Sequence, residues 1–150
     1  MLSIMELKIE RLSIGDWQRG LENVRIFWEH PPSEKKIKSF LAKDTNVFVV
    51  AELDGKQVGQ VIGYILERWD SHPPMFFIYT IDVAPHAQRK RIGTRMIEKI
   101  REIWRMKGCG IAFVFTNAEN PPAMEFYKST GAIRPNMDDV MYDYIEGEPY

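Results

Sequence analysis

The chain is 150 residues long, 45% hydrophobic and 27% charged, with a net charge of −1. That size and balance belong to one globular domain, residues 1–150, with enough chain to bury a core. They exclude a disordered chain and a bulk polyanion binder, so any anion site must be a local cluster. No apolar run approaches the roughly 20 residues that a membrane-spanning helix needs. The start, Met1-Leu-Ser-Ile-Met5-Glu-Leu-Lys8, has neither a basic leader nor a long apolar core. With the lone Cys109, which suits a reducing compartment, this points to a cytoplasmic protein with no membrane attachment. The three histidines, His30, His72 and His86, are widely spaced and lack cysteine partners, so no metal site is expected.

In chain order, Leu7–Leu12 alternates apolar and charged residues as a half-buried strand does. Asp16 is placed to cap a helix running through Leu21, Val24 and Phe27 to the Pro31-Pro32 stop. Ser33 is placed to cap a second, short helix with Ile37, Phe40 and Leu41 on one face. Val47–Leu53 and Val58–Leu66 read as strands joined by the turn Asp54-Gly55, and Met75–Val83 as a third strand after the loop Ser71–Pro74. The helix Thr94–Lys107 gathers Met96, Ile97, Ile100, Ile103 and Trp104 on one face and ends at Gly108. Ile111–Thr116 reads as a strand buried on both sides, Asn120 as the cap of a helix from Pro121-Pro122 to Gly131, and Val140–Ile145 as a final strand. The order gives an α/β fold with a mixed sheet.

The junction after Val83 carries the chemistry. The strand stops at Pro85, passes through Gln88-Arg89-Lys90-Arg91, and enters a helix by way of Gly93 and Thr94. A helix start has unpaired N–H groups and the positive end of the macrodipole, so such a junction attracts anions. Side-chain donors there suggest a diphosphate, and so a nucleotide-type cofactor. A solvated basic face is the plainer reading of the same charge run. The chain has no Gly-x-x-x-x-Gly-Lys phosphate loop and no glycine-rich dinucleotide turn. A nucleic-acid partner is not expected, because there is no basic excess and no interleaved aromatic series.

Val83, Pro85 and Gln88-x-x-x-x-Gly93 resemble the acetyl-CoA pyrophosphate loop of the GNAT superfamily of N-acetyltransferases, whose pattern is Gln/Arg-x-x-Gly-x-Gly/Ala. Arg91 stands where the first glycine is usual, and its side chain could either crowd the phosphates or lend them a cation. Ala123-Met-Glu-Phe-Tyr127-Lys-Ser-Thr-Gly131 is similar to a second family segment, and the order of elements matches from Leu7 to Ile145. The resemblance implies a mixed, mostly antiparallel sheet flanked by helices on both faces. It implies acetyl-CoA as co-substrate, bound by Ile81, Val83, Gln88, Arg89, Lys90, Arg91, Ile92, Gly93 and Thr94, with Asn120 on the pantetheine arm. Tyr127 would stand beside the sulfur as the acid for the departing thiolate, although packing of Phe126 and Tyr127 against a sheet explains those rings equally simply.

The acceptor is less sharply written. Tyr64-Ile-Leu-Glu67-Arg-Trp69, Ile78-Tyr-Thr-Ile-Asp-Val83 and Asp139-Val-Met-Tyr-Asp-Tyr-Ile145 together resemble aminoglycoside 3-N-acetyltransferases. That resemblance implies Glu67, Asp82, Asp139 and Asp143 as holders of a small cationic amine, which attacks the thioester directly in a ternary complex. Thr80 stands where those enzymes have an aspartate, and Asp82, on the same strand face, is placed to substitute for it as the base. The alternatives are a protein or peptide N-acetyltransferase and a non-catalytic acyl-CoA-binding module. Trp28 and Trp69 could serve a homodimer or the core.

Overall fold

Asp54 and Gly55 both take left-handed backbone, at φ 52° and 81°, the geometry whose twist suits a two-residue hairpin turn. The turn sits between the second and third of five strands: β1 (Leu7–Arg11), β2 (Asn46–Leu53), β3 (Lys56–Leu66), β4 (Met75–Val83) and β5 (Ile111–Val114). It places Leu53 opposite Lys56. Neighbouring strands run antiparallel except β4 and β5, which are parallel, and the sheet order is β1-β2-β3-β4-β5. The helices are α1 (Trp17–Phe27), α2 (Glu34–Leu41), α3 (Ile92–Met106) and α4 (Pro121–Ser129). α3 is the crossover that a parallel pair requires. The computed structural model describes residues 5–147, in two compact parts that meet in sequence at Phe115 and Thr116; α4 belongs to the second.

Within the first part, helices cover both sheet faces. Leu12, Val24, Ile37, Leu41, Phe48 and Val50 form a buried cluster under α1 and α2, with Ile62 of β3 packed against it. On the opposite face α3 buries Ile92, Met96, Ile97, Ile100 and Ile103, and Trp104 meets Phe76 at 5.6 Å between ring centroids. Each such aliphatic side chain contributes about 1.5–3 kcal/mol by leaving water. The caps follow the sequence at Ser33, whose hydroxyl accepts from the Lys36 N–H, and at Asn120, whose Oδ1 accepts from the Ala123 N–H.

Elsewhere the structure departs from the sequence pattern. Val140–Ile145 forms no strand: the part from Thr116 onward holds a single helix and no strand among its described residues, so the run has no ladder partner there. Its Val140, Met141, Tyr142, Tyr144 and Ile145 side chains are exposed. The apolar run after Gly110 is a short strand at the sheet edge, not one buried on both sides; Ile111 is 57% exposed and Phe115, beyond its end, 63%. Asp16 does not cap α1, because its carboxylate accepts from the Ser13 N–H and hydroxyl instead. α1 ends at Phe27, before the proline pair, and α3 begins at Ile92, ahead of Thr94. Trp69 is 95% exposed and has no place in the core.

Gly63 lies where β3 passes under Phe76. A methyl group there would sit 2.6 Å from Phe76 Cζ and 2.9 Å from the Phe77 carbonyl oxygen. Gly63→Ala is therefore expected to destabilise the fold by about 2–3 kcal/mol through overpacking, measured as a lower urea midpoint at unchanged slope.

Candidate active site

β4 is paired along its whole length on one side only. Its ladder with β5 runs from Met75–Ile111 to Ile78–Val114 and stops, while its ladder with β3 continues to Gly59–Val83. Tyr79 to Val83 therefore carry main-chain groups on the β5 side that no strand of the sheet takes up. Ile81 and Val83 stand on this stretch, and the Val83 carbonyl accepts a long bond, 3.4 Å, from Gln88 Nε2. The register between β3 and β4 also slips: Ile62 faces Thr80 and Gly63 faces Ile78, leaving Tyr79 as the extra residue of a bulge.

Beyond β4 the Ala84 N–H is held by the Val58 carbonyl at 2.8 Å, and Pro85–Ala87 makes one tight turn. Gln88, Arg89, Lys90 and Arg91 then run exposed into α3. Arg89 and Arg91 have positive φ, 63° and 62°, and Arg91 occupies the cap position of α3. The residue that replaces the usual glycine thus adopts a glycine's left-handed backbone, at a cost of about 1–2 kcal/mol, and keeps its guanidinium in solvent. No side chain caps this helix start. The N–H groups of Ile92, Gly93 and Thr94 belong to the turn that has no intrahelical acceptor. Ile92 is 1% exposed, and its side chain belongs to the core under α3.

On the α1 face of the sheet, Asp82 lies opposite Gln60. Its Oδ2 accepts from Gln60 Nε2 and from Thr80 Oγ1, both at 3.0 Å, which leaves Oδ1 for another donor. Along the same face runs a set of rings that sequence periodicity does not reveal. Phe77 stacks on Phe113 at 5.0 Å and on Tyr64 at 6.4 Å, and Tyr79 meets Tyr64 edge-on and Trp28 obliquely, each at 6.2 Å. Tyr79 is 47% and Trp28 39% exposed. The bulge at Tyr79 shifts the alternation along β4, so that Phe77 shares a face with Thr80 and Asp82, which strict alternation would place on the other side. Burial, with Tyr79 beside it, pushes the Tyr64 phenol above its ordinary pKa, so it stays a neutral donor.

The acidic residues of the first part do not gather in the same way. Glu67 follows Leu66, which pairs with Met75, whereas Asp82 pairs with Gln60. The two carboxylates lie at opposite ends of the β3–β4 hairpin, about 20 Å apart at the usual rise per strand residue. Asp70 is held by Arg68 at 2.6 Å and by the His72 N–H, and these bonds keep its carboxyl well below the usual carboxylate range. In the second part, Asp139 accepts from Asn136 Nδ2 at 2.7 Å and Asp143 is exposed. Asn120 spends its Oδ1 on the α4 cap, and Tyr127 is half-buried with its ring 5.2 Å from Phe126. Among the described residues no three His, Cys, Asp or Glu side chains form a metal-ligand set, and no helix is long and apolar enough to cross a membrane.

A parallel strand pair whose ladder ends early, and whose crossover helix opens on an uncapped, basic turn, defines an α/β domain suited to an extended, anionic ligand. The model of the acetyltransferase (GNAT) family matches residues 9–132. An aminoglycoside acetyltransferase from an uncultured soil metagenomic sample, solved in complex with sisomicin, superposes with a TM-score of 0.84 at 26% identity, covering 93% of this chain and 97% of that one. The mycothiol acetyltransferase of Sanguibacter keddieii is 28% identical over 131 residues, 79% of this chain, and that of Pseudarthrobacter chlorophenolicus is 32% identical over 92 residues, 59% of it. The chain spans only 40% and 28% of the lengths of those two relatives. The chain belongs to the GNAT family of acetyltransferases, whose co-substrate is acetyl-CoA.

Because Arg91 holds a left-handed backbone, Arg91→Gly is expected to stabilise the protein. Relief of about 1–2 kcal/mol, less the added flexibility of a glycine in the unfolded chain, leaves a gain of about 0.5–1 kcal/mol. In a thermal scan this is a rise of about 1–4 °C.

Proposed function

We propose that the chain is an acetyl-CoA-dependent N-acetyltransferase that moves the acetyl group to a primary amine of a small cationic acceptor, by direct attack in a ternary complex. The observation that carries the reading is the left-handed, uncapped opening of α3 at Arg91, directly after the end of β4 that β5 leaves unpaired. The main-chain N–H groups of Ile92, Gly93 and Thr94, with the side chains of Gln88, Arg89, Lys90 and Arg91, hold the pyrophosphate. The open edge at Ile81 and Val83 pairs with the pantetheine amides as an added strand would. For the second part of the chain the family resemblance alone assigns roles: Asn120 contacts pantetheine, Tyr127 protonates the departing thiolate, and Asp139 and Asp143 attract the cationic acceptor.

The chemistry asks mainly for positioning. The amine must arrive neutral and close to the thioester carbonyl, and a charged amine must lose a proton first. Asp82, with Oδ1 unclaimed, is the group on the α1 face that receives the ammonium and its proton. The exposed faces of Tyr79 and Trp28 add cation–π attraction, about 0.5–2 kcal/mol for each well-placed contact. Glu67, at the far end of the hairpin, contributes only longer-range attraction. The sisomicin complex of the similar soil enzyme supports an aminoglycoside as the acceptor class.

Titration calorimetry with acetyl-CoA is expected to give one-site binding, weakened about tenfold in Arg91→Gly by loss of a charged donor. A panel of aminoglycosides, polyamines and lysyl peptides, read by release of CoA thiol, is expected to give turnover with the aminoglycosides. Binding without turnover on any acceptor would leave a non-catalytic acyl-CoA-binding module, and absence of binding would remove both readings. Tyr127→Phe is expected to lower kcat about 100-fold with acetyl-CoA affinity unchanged; wild-type turnover would take Tyr127 out of the acid's role.

A further inference from the structure

Gln60 lies in the middle of β3 and is 0% exposed, on the face where its strand neighbour Ile62 packs against the buried cluster. A primary amide taken out of water destabilises the fold unless its polar atoms are bonded, and an aliphatic residue would fill the place better. What the amide does is donate from Nε2 to Asp82 Oδ2 at 3.0 Å, across the directly paired positions of β3 and β4. Thr80 Oγ1 donates to the same oxygen at 3.0 Å from two residues back along β4. Two donors on one oxygen fix the rotation of the carboxylate and turn Oδ1 away from both.

The polarity of the amide is set by that carboxylate, since turning Oε1 toward Oδ2 would place two acceptors against each other. The consequence is visible in the interior, where Gln60 Oε1 is buried without a donor among the described residues. A parallel arrangement lies next to it in sequence and on α1. Asn23, also 0% exposed, donates to Gln57 Oε1 at 2.6 Å, and Gln57 Nε2 donates to Glu22 Oε2 at 3.1 Å, while Asn23 Oδ1 is likewise buried without a donor. In both series the N–H donors lead to a carboxylate, directly from Gln60 and by way of Gln57 from Asn23, and the innermost amide leaves its carbonyl oxygen in the core. Only the series through Gln60 ends on a residue of β4, on the strand that also delivers the cofactor loop.

We propose that Gln60, with Thr80, is a positioning residue of acetyl transfer: it acts through Asp82, holding the carboxylate so that Oδ1 meets the acceptor amine. The proposal rests on the reading of Asp82 given above. It also accounts for Thr80, which stands where the aminoglycoside 3-N-acetyltransferases have an aspartate and here serves as a donor to one.

A double-mutant cycle tests it, with acetyl-CoA and the best acceptor of the panel, sisomicin being tried first. Gln60→Met keeps the side-chain volume and removes the donor. It is expected to lower kcat about tenfold, to leave the KM for acetyl-CoA within about twofold, and to match or exceed the wild-type thermal midpoint, because a buried polar group is gone. Thr80→Val is expected to lower kcat in the same way, and it serves if Gln60→Met does not fold. On an Asp82→Asn background neither change is expected to alter kcat by more than about twofold, since residues acting as one unit are not additive. The same factor of loss on both backgrounds would overturn the proposal, and so would wild-type kcat in both single variants. If Asp82→Asn itself turns over like wild type, the reading of Asp82 fails, and the positioning role with it.

Discussion

The arrangement depends on a backbone constraint: β4 has a partner along its full length on one side and for four residue pairs on the other. Hydrogen bonds of a strand must be taken up somewhere, so a strand that outruns its neighbour presents a row of main-chain donors and acceptors. Two features leave this end of β4 without a partner on the β5 side. β4 is tied back to β3 as far as the Ala84 N–H on the Val58 carbonyl, and β5 ends after four residues. The open row leads directly into the loop from Gln88 to Arg91 and the start of α3, so the two kinds of main-chain site lie in one continuous stretch of the chain. An extended ligand with amides at one end and phosphates at the other fits that order, which is the order of groups in CoA.

Electrostatics then acts locally. With a net charge of −1 the chain has no general attraction for an anion. Arg89, Lys90 and Arg91 stand on the turn itself, where the helix dipole has the same sign, so the proposed anion site would draw on local charge alone. Arg91 shows how two demands meet at one residue. The turn needs left-handed backbone, which glycine supplies without strain, and the pyrophosphate site proposed above would gain from a cation, which glycine cannot supply. The chain has taken the strained solution.

The fold is legible where the sequence signal is local. The Asp54-Gly55 turn, the Ser33 and Asn120 caps and the apolar stripe of α3 each depend on a few neighbouring residues, and all appear in the structure. The loop and its family likeness are legible for the same reason. Features that escape depend on partners distant in sequence. Val140–Ile145 has a strand's alternation and no strand to pair with in its own part of the chain. Ile111–Val114 has the composition of a central strand and an edge position, which composition does not encode. Asp16 is a good capping residue whose carboxylate bonds Ser13 instead. The ring series from Trp28 to Phe113 crosses a bulge, so no simple period reveals it.

On the proposed reading, the α1 face would meet a cationic acceptor by a different means from the converging carboxylates that the resemblance implies. Glu67 and Asp82 stand at opposite ends of one hairpin, and Asp70 is already neutralised by Arg68, so a ring of converging carboxylates is not how this part of the chain is built. It presents one oriented carboxylate beside exposed aromatic faces. Several free carboxylates would attract any polyamine, since Coulomb attraction has little directionality. Ring faces attract a cation only over the π cloud and also favour apolar surface next to it. A face of this kind discriminates by the shape around the ammonium group more than by the number of charges. If it is the acceptor site proposed above, it would favour an acceptor with a rigid body carrying its amine over a flexible chain of charges.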